Sequence, residues 1–266
     1  MASADPAAPP WRLLDTPPAP GAWNMAVDAA LMASVRDGAL PSLRFYRWDP
    51  PCLSLGRNQP ARDRYDLDAL RARGFDVVRR PTGGRAVLHH HELTYSVVVP
   101  EGVLGSPREC YAAINRALVA GLRRLGVPAR LQPRTGARAP VPSLAPCFQE
   151  PVEGEVVVGA RKLVGSAQWR ERGVVLQHGS LLLADDQGEV GRLAREALPG
   201  DGEAPTSLAE LCEPVPAWER IVEALAAGWE EATATRLHPG GLTADERERA
   251  AELARRYADP AWTWHQ

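Results

Sequence analysis

The chain has 266 residues, 45% hydrophobic and 24% charged, with a formal net charge of -2, which is an ordinary globular composition. Its near-neutral charge argues against a non-specific nucleic-acid partner, and no apolar run reaches the roughly 18 residues of a membrane span. The opening residues lack the basic and apolar regions of a signal peptide, so we expect a cytoplasmic protein with no membrane partner.

The first half of the chain alternates between helix and strand signals. Residues 1–20 are rich in Pro and Ala and are expected to form a flexible lead-in. Apolar residues recur at helical spacing over 24–36. Further signals predict strands at 43–48, 52–55, 75–79, 86–88 and 93–99, a short helix at 66–73, and a helix from a Ser106–Glu109 capping box to Gly126.

The second half begins with a loop over 133–146 that is rich in Pro, Gly and Arg. Strands follow at 155–158, 162–170 and 174–183, with a hairpin turn at 171–173, and the rest is helical, with capping boxes at Ser207–Glu210 and Thr243–Glu246. This order predicts an α+β fold with a mixed or antiparallel sheet flanked by helices. We expect one main domain over 21–240 and a C-terminal helical extension over 241–266.

The basic residues comprise thirty Arg and a single Lys, Lys162. An excess of Ala, Arg and Pro indicates GC-rich coding, which replaces Lys by Arg wherever only positive charge is needed. A Lys amine, unlike a guanidinium, can be tuned by burial and neighbouring charges. Lys162 is therefore a candidate for chemistry that Arg cannot perform. The alternative is a surface Lys without a function that has by chance not been replaced by Arg.

The four cysteines have no metal-ligand spacing and are expected to be reduced thiols. Only Cys147 lies in a loop just before a strand pair, where catalytic groups concentrate. A nucleophilic thiol needs a nearby cation to stabilise its thiolate, and a hairpin can bring Lys162 close. The alternative is that Cys147 is an inert buried side chain.

Three further stretches are candidates for a ligand site. The segment 79–85 (RRPTGGR) combines two Gly, which allow close backbone approach, with three Arg, which offer anion-binding forks; a tight hairpin with solvated Arg is the alternative. Small residues at 165–167 leave room beside a strand. His178 is a candidate base or a structurally satisfied His.

The run His89-His90-His91 invites a metal interpretation. Consecutive strand residues point to alternate faces, so the three imidazoles cannot converge on one ion. We predict no metal site there, while one of these His can still face the same cavity as the glycines.

At these residues the sequence resembles the lipoate/octanoate protein ligase and transferase family, which is related to biotin protein ligases. The matching stretches are 79–96 (RRPTGGRAVLHHHELTYS), 146–148 (PCF), 159–168 (GARKLVGSAQ), 176–180 (LQHGS), 23–26 (WNMA) with Asp28, and 54–59 (SLGRNQ). The Cys before a Phe and the GSAQ strand are most similar to the cysteine-dependent octanoyltransferase branch. One departure is His90, where the family often has Asp.

The resemblance implies a biotin/lipoate protein ligase-like catalytic domain in which Cys147 carries the acyl group as a thioester and Lys162 keeps the thiol ionised. It also implies that the 79–85 loop lines an acyl-chain tunnel. The predicted substrate-binding residues are Arg80, Thr82, Gly83, Gly84, Arg85, His89, Gly165, Ser166, Ala167, His178 and Gly179.

The implied reaction moves an octanoyl group from acyl carrier protein to a lysine of the glycine-cleavage H protein or another lipoyl domain. No cofactor is expected, because thioester exchange needs no ATP. The same scaffold supports an ATP- and Mg-dependent lipoate ligase that forms a lipoyl-adenylate and needs no Cys at 147. A catalytically silent binding protein that keeps the cavity is the third reading.

Overall fold

The computed structural model describes residues 10–133, 148, 152–196 and 203–265. Its strands are β1 (Trp11–Asp15), β2 (Ser42–Tyr46), β3 (Cys52–Leu55), β4 (Asp76–Arg79), β5 (Val87–His89), β6 (Glu92–Pro100), β7 (Arg130–Leu131), β8 (Val156–Val158), β9 (Arg161–Glu171), β10 (Val174–Leu182) and β11 (Leu237–Gly240). Its helices are α1 (Gly21–Arg36), α2 (Leu67–Ala72), α3 (Pro107–Arg124), α4 (Gly188–Arg192), α5 (Leu208–Leu211), α6 (Trp218–Thr233), α7 (Ala244–Ala258) and α8 (Pro260–Thr263). Among these helices none is both long and apolar enough to cross a bilayer.

The strands form two sheets. The larger sheet has eight strands in the order β11-β1-β2-β6-β10-β9-β8-β7, and the smaller has three in the order β4-β3-β5. β1 pairs in parallel with β2 and β11, whereas β6, β10 and β9 are antiparallel. The mixed sheet flanked by helices confirms the predicted fold class.

Side-chain alternation along β6 separates the two faces of the larger sheet. Leu93, Tyr95, Val97 and Val99 point into a core shared with α3 and α6. Val98 points to the opposite core, which is shared with α1 and α7. This two-residue period is what a strand buried on both faces requires, and it places helices on each side of the sheet.

The N-terminal end of the chain differs from the prediction, and the C-terminal end agrees with the predicted helical structure. The expected flexible lead-in is wrong from Trp11 onward, because Trp11 is fully buried against the Trp229 ring at 4.9 Å and β1 pairs with strands on both sides. The C-terminal segment is helical, as predicted, and α7 packs on α1. The division into domains at residues 20 and 240 stays a prediction.

Two of the three predicted capping boxes form. Ser106 with Glu109 and Thr243 with Glu246 make both reciprocal hydrogen bonds at the starts of α3 and α7. The prediction of a capping box at Ser207–Glu210 is wrong: the Ser207 side chain makes no capping hydrogen bond, and Glu210 instead forms an ion pair with Arg161 on β9. The predicted hairpin turn is confirmed by the positive φ angles of Arg172 and Gly173 between β9 and β10.

Candidate active site

A cavity open to solvent lies between α1, strands β9 and β10 and the small sheet. Eight of the eleven predicted substrate-binding residues line it: Arg80, Gly84, His89, Gly165, Ser166, Ala167, His178 and Gly179. Thr82, Gly83 and Arg85 lie in the same turn as Gly84 but outside the lining. Val87 also lines the cavity, and the lining residues that sequence reasoning missed are Met25, Tyr46, Trp48, Ser54, Thr94 and Ser180.

Two of the three Arg side chains in the 79–85 turn bind backbone carbonyls. Arg79 donates to the carbonyls of Gly56 at 2.6 Å and Thr263 at 2.8 Å, and Arg80 to that of Gly83 at 2.8 Å. Burial and the neighbouring Arg80 charge lower the pKa of Arg79 to about 10. The expectation that all three Arg serve as anion-binding forks is therefore wrong, because the fold uses two of them to hold loops together.

Arg85 is the third Arg of this turn. Its side chain is buried to 8% exposure, and it has no hydrogen bond or ion pair with another residue in the described parts of the chain. Among the described residues, the Arg85 guanidinium therefore has no partner in the fold.

His89 and His178 both line the cavity with their ring nitrogens occupied. His89 Nε2 lies 2.8 Å from Ser54 Oγ, and its ring stacks on Trp48 at 4.0 Å. Burial lowers the pKa of His89, outweighing the nearby Glu92 carboxylate, so the ring is neutral. His178 Nε2 lies 2.7 Å from Thr82 Oγ1.

The other polar atoms around the cavity are similarly engaged. Trp48 Nε1 donates to Thr94 Oγ1 at 2.8 Å, and Tyr95 and Ser166 share a hydrogen bond of 2.7 Å. Burial raises the pKa of Tyr95 to about 12, so its hydroxyl stays protonated. The rings therefore turn their polar atoms into the protein and leave carbon surface towards the cavity, which suits an apolar ligand.

Lys162 lies on β9 outside the cavity lining, with its Cε 3.3 Å from the Cβ position of the lining residue Gly165. Its side chain is almost fully buried, and Nζ donates to Glu155 Oε1 at 2.7 Å. The same Nζ lies 5.2 Å from the centre of the Phe148 ring. Cys147 lies outside the described residues, so its pairing with Lys162 stays a prediction; the surface alternative for Lys162 is wrong.

Sequence reasoning missed Glu155 and gave Asp28 no chemical role. Asp28 occupies the apolar face of α1, three residues after Met25 and four before Met32, and is fully buried. A carboxylate on such a face must find buried partners, and this was the available signal. Glu155 stands directly before the apolar strand β8, a weaker signal of the same kind.

The histidine run differs from the expected geometry. His90 and His91 lie between β5 and β6 rather than on a strand, so strand alternation does not separate them. Their ligand atoms and those of Asp186 lie within 4.8 Å of one another, and His90 Nδ1 hydrogen-bonds Asp186 Oδ2 at 2.9 Å. The argument that consecutive imidazoles cannot converge thus fails for this pair and holds for His89, which points into the cavity.

Curated relatives match this chain over most of its length. The octanoyltransferase LipM of Kyrpidia tusciae is 47% identical, with 96% of this chain and 98% of the relative covered. An identity this high over both whole lengths places the two chains in one family.

Solved structures of other proteins are similar to this chain in both fold and sequence. A lipoate-protein ligase A bound with ATP gives a TM-score of 0.81 at 26% identity, covering 96% of this chain and 99% of that one. A bipartite lipoate protein ligase of Thermoplasma acidophilum, solved in a study with its E2 lipoyl domain, gives 0.77 at 25% identity, covering 96% of each chain. These matches confirm the biotin/lipoate ligase-like fold. The model of the lipoyl protein ligase A/B catalytic domain matches residues 20–230, and the chain belongs to that family.

Proposed function

We propose that this chain is an octanoyltransferase of protein lipoylation, which transfers its acyl group through a thioester on Cys147. One observation carries the proposal: the apolar cavity adjoins the only Lys. The Cβ position of Gly165, a lining residue, lies 3.3 Å from Lys162 Cε and 3.1 Å from Phe148 Cζ. Phe148 is the neighbour of Cys147 in the chain. The octanoyltransferase name of a relative 47% identical to this chain supports the choice of acyl group.

In the first step, the Cys147 thiolate attacks the thioester carbonyl of an octanoyl group on the phosphopantetheine arm of acyl carrier protein. A new carbon–sulfur bond forms at Cys147, the old one breaks, and the carrier thiolate leaves and takes up a proton. One thioester replaces another, so the step is close to thermoneutral and uses no ATP or other cofactor.

In the second step, a lysine amine of the acceptor attacks the Cys147 thioester. The amide bond forms, the amine loses a proton, and the Cys147 thiol is regenerated. The acceptor is a lipoyl domain, supported by the related ligase solved in a study with such a domain, and the glycine-cleavage H protein is a specific candidate. Amide formation from a thioester runs downhill, which sets the direction of transfer.

Lys162 and Glu155 define the charge beside the thiol. Lys162 is buried and its Nζ donates to Glu155 Oε1 at 2.7 Å, so the carboxylate stabilises the Lys162 ammonium against the cost of burial. The Lys162 ammonium stabilises the Cys147 thiolate, donates the proton that the carrier thiolate takes up, and regains a proton from the attacking amine in the second step.

The cavity selects the acyl chain through its apolar surface. Each buried methylene contributes about 0.8 kcal/mol, so an octanoyl chain gains roughly 5 kcal/mol when fully enclosed. Two carbons more or fewer therefore change binding by more than about tenfold. Arg85 at the turn is available to meet an anionic group of the carrier arm.

A second candidate function is ATP-dependent lipoate ligation, favoured by the structural match to a lipoate-protein ligase A bound with ATP. In that reaction a Lys binds carboxylate and phosphate oxygens, and no Cys at 147 is needed. Full lipoate-plus-ATP activity in Cys147→Ser, with no octanoyl transfer by the parent chain, would establish the ligase instead.

The deciding experiment mixes the full chain with octanoyl-acyl carrier protein and follows its mass. We expect one octanoyl adduct on Cys147 and its passage to a lipoyl domain without ATP. Cys147→Ser loses both, while the matched control Cys212→Ser keeps both, because Cys212 lies outside the cavity lining. Reversible acyl binding without an adduct would instead support a silent binding protein.

A further inference from the structure

The Asp28 carboxylate on α1 is fully buried and accepts hydrogen bonds from three strands. Arg44 Nη1 and Ser96 Oγ each donate to Oδ1 at 2.8 Å, and Tyr46 donates to Oδ2 at 3.1 Å. His178 Nδ1 lies 3.2 Å from the same Oδ2. Burial alone would raise the pKa of Asp28, but the His178 hydrogen bond and the Arg44 charge outweigh it and lower that pKa. Asp28 is therefore an ionised acceptor at neutral pH.

An ionised carboxylate accepts hydrogen bonds and donates none, so it fixes where His178 holds its proton. Nδ1 must carry the hydrogen that points at Asp28. In the neutral ring Nε2 is then the acceptor, and Thr82 Oγ1 at 2.7 Å donates to it. A hydroxyl, an imidazole and a carboxylate thus form one continuous buried chain of hydrogen bonds.

This chain of bonds links three walls of the cavity. Asp28 belongs to α1, His178 lines the cavity from β10, and Thr82 immediately precedes Gly83 and Gly84 in the turn that forms the third wall. The Thr82 carbonyl also accepts the backbone N–H of Arg57 at 2.8 Å, so the turn is held on two sides. Thr82 itself is fully buried and lies outside the cavity lining.

We propose that Asp28 is a positioning residue for the acyl site: it keeps His178 in the Nδ1–H tautomer, and through Nε2 it anchors the Thr82 turn against the cavity. The His178 ring then presents its carbon atoms to the acyl chain, and it supports the cavity wall rather than acting as a base. This role at the acyl site rests on the proposed function, whereas the tautomer does not.

The first test measures the tautomer of His178 by side-chain ¹⁵N chemical shifts in the full chain, with His178→Gln to identify the signal. In Asp28→Asn the amide oxygen must face Arg44 and Ser96, so the amide nitrogen faces His178 Nδ1 and donates to it. We expect the proton to move to Nε2. Ser96→Ala is the matched control, because it removes one donor to Asp28 and leaves the carboxylate intact, so the parent tautomer should persist.

The second test compares steady-state kinetics with thiol reactivity. We expect Asp28→Asn to raise the KM for octanoyl-acyl carrier protein at least fivefold, Ser96→Ala less than twofold, and neither to change alkylation of Cys147 by iodoacetamide more than twofold. Thr82→Val removes the hydroxyl without changing buried charge and should also raise the KM for octanoyl-acyl carrier protein at least fivefold. If Asp28→Asn does not fold, this variant tests whether the hydrogen bond between His178 and Thr82 shapes the acyl site.

An unchanged tautomer in Asp28→Asn, or an unchanged KM in Thr82→Val, overturns the proposal. If the parent chain transfers no octanoyl group at all, the proposed function fails, while the histidine spectra still decide whether Asp28 sets the tautomer. The two failures are therefore distinguishable.

Discussion

Glu155 Oε1 lies 2.7 Å from Lys162 Nζ, and both side chains are almost fully buried. Glu155 also accepts the backbone N–H of Val152 through its second oxygen at 2.9 Å. The carboxylate thus ties the turn before β8 to the ammonium group on β9.

Removing Glu155 should therefore destabilise the fold strongly. Glu155→Ala leaves a buried ammonium without this carboxylate, and we expect the free energy of unfolding in urea to fall by about 3 to 5 kcal/mol. Glu210→Ala is the matched control, because Glu210 pairs with the adjacent Arg161 in a half-exposed position, where an ion pair contributes about 1 kcal/mol or less. Equal losses in the two variants would contradict the difference in burial.

The two glycines of the 79–85 turn should respond differently to alanine. Gly84 has φ +98°, and its Cβ position lies 2.7 Å from Arg80 Nη2, whereas that of Gly83 has open space and no positive φ. We expect Gly84→Ala to lower the free energy of unfolding by about 1 to 3 kcal/mol and Gly83→Ala by less than about 0.5 kcal/mol. Thermal or urea unfolding of both variants measures this, and equal effects would show that the turn is not strained at Gly84.

Met25 should limit the length of the acyl chain. Met25→Ala enlarges the cavity, so we expect the preferred donor to shift from eight carbons to ten or twelve. Met32→Ala is the control, because Met32 lies on the same helix and in the same core but outside the cavity lining. Both variants should lose about 2 to 5 kcal/mol of stability. Competition among acyl-carrier donors gives the readout, and a shift in both variants would point to general loosening.

His89 should make stability depend on pH. Its pKa is lowered in the folded state, so between about pH 6.5 and that lower value the unfolded chain binds more protons than the folded chain. Stability must then fall as the pH falls through this window, by up to about 1.4 kcal/mol per pH unit.

The measurement is the free energy of urea unfolding from pH 8 down to pH 5, for the parent chain and for His89→Asn. Contributions from other groups cancel in the difference between the two. We expect that difference to stay constant above about pH 6.5 and to shrink below it. A difference that is independent of pH would show that His89 is not held neutral by burial.

Local sequence patterns predicted the central elements well. β3 begins and ends where expected, and α3 begins at its predicted capping box, because these elements rest on short-range periodicity and capping. β1 and β11 were missed, since they are short strands next to Pro and Gly that pair with each other across more than two hundred residues of sequence. Nothing local specifies such pairing.

The site was predicted in part for a similar reason. Small residues such as Gly165 and Gly179 indicated where a ligand fits, and both line the cavity. The use of Arg80 was misjudged, because a guanidinium serves an anion or a carbonyl according to what surrounds it, and its surroundings here come from β3 and from its own turn. Asp28 likewise shows its role only once β10 brings His178 to it.

The placement of β1 between β2 and β11 has a consequence for synthesis of the chain. Trp11 pairs with Leu237, so the edge of β1 is completed by residues made more than two hundred positions later. Contacts of such long sequence separation form late and slow folding. A nascent or truncated chain that ends before Leu237 therefore presents an open strand edge at β1. Until β11 has been synthesised, this edge is a template for aggregation.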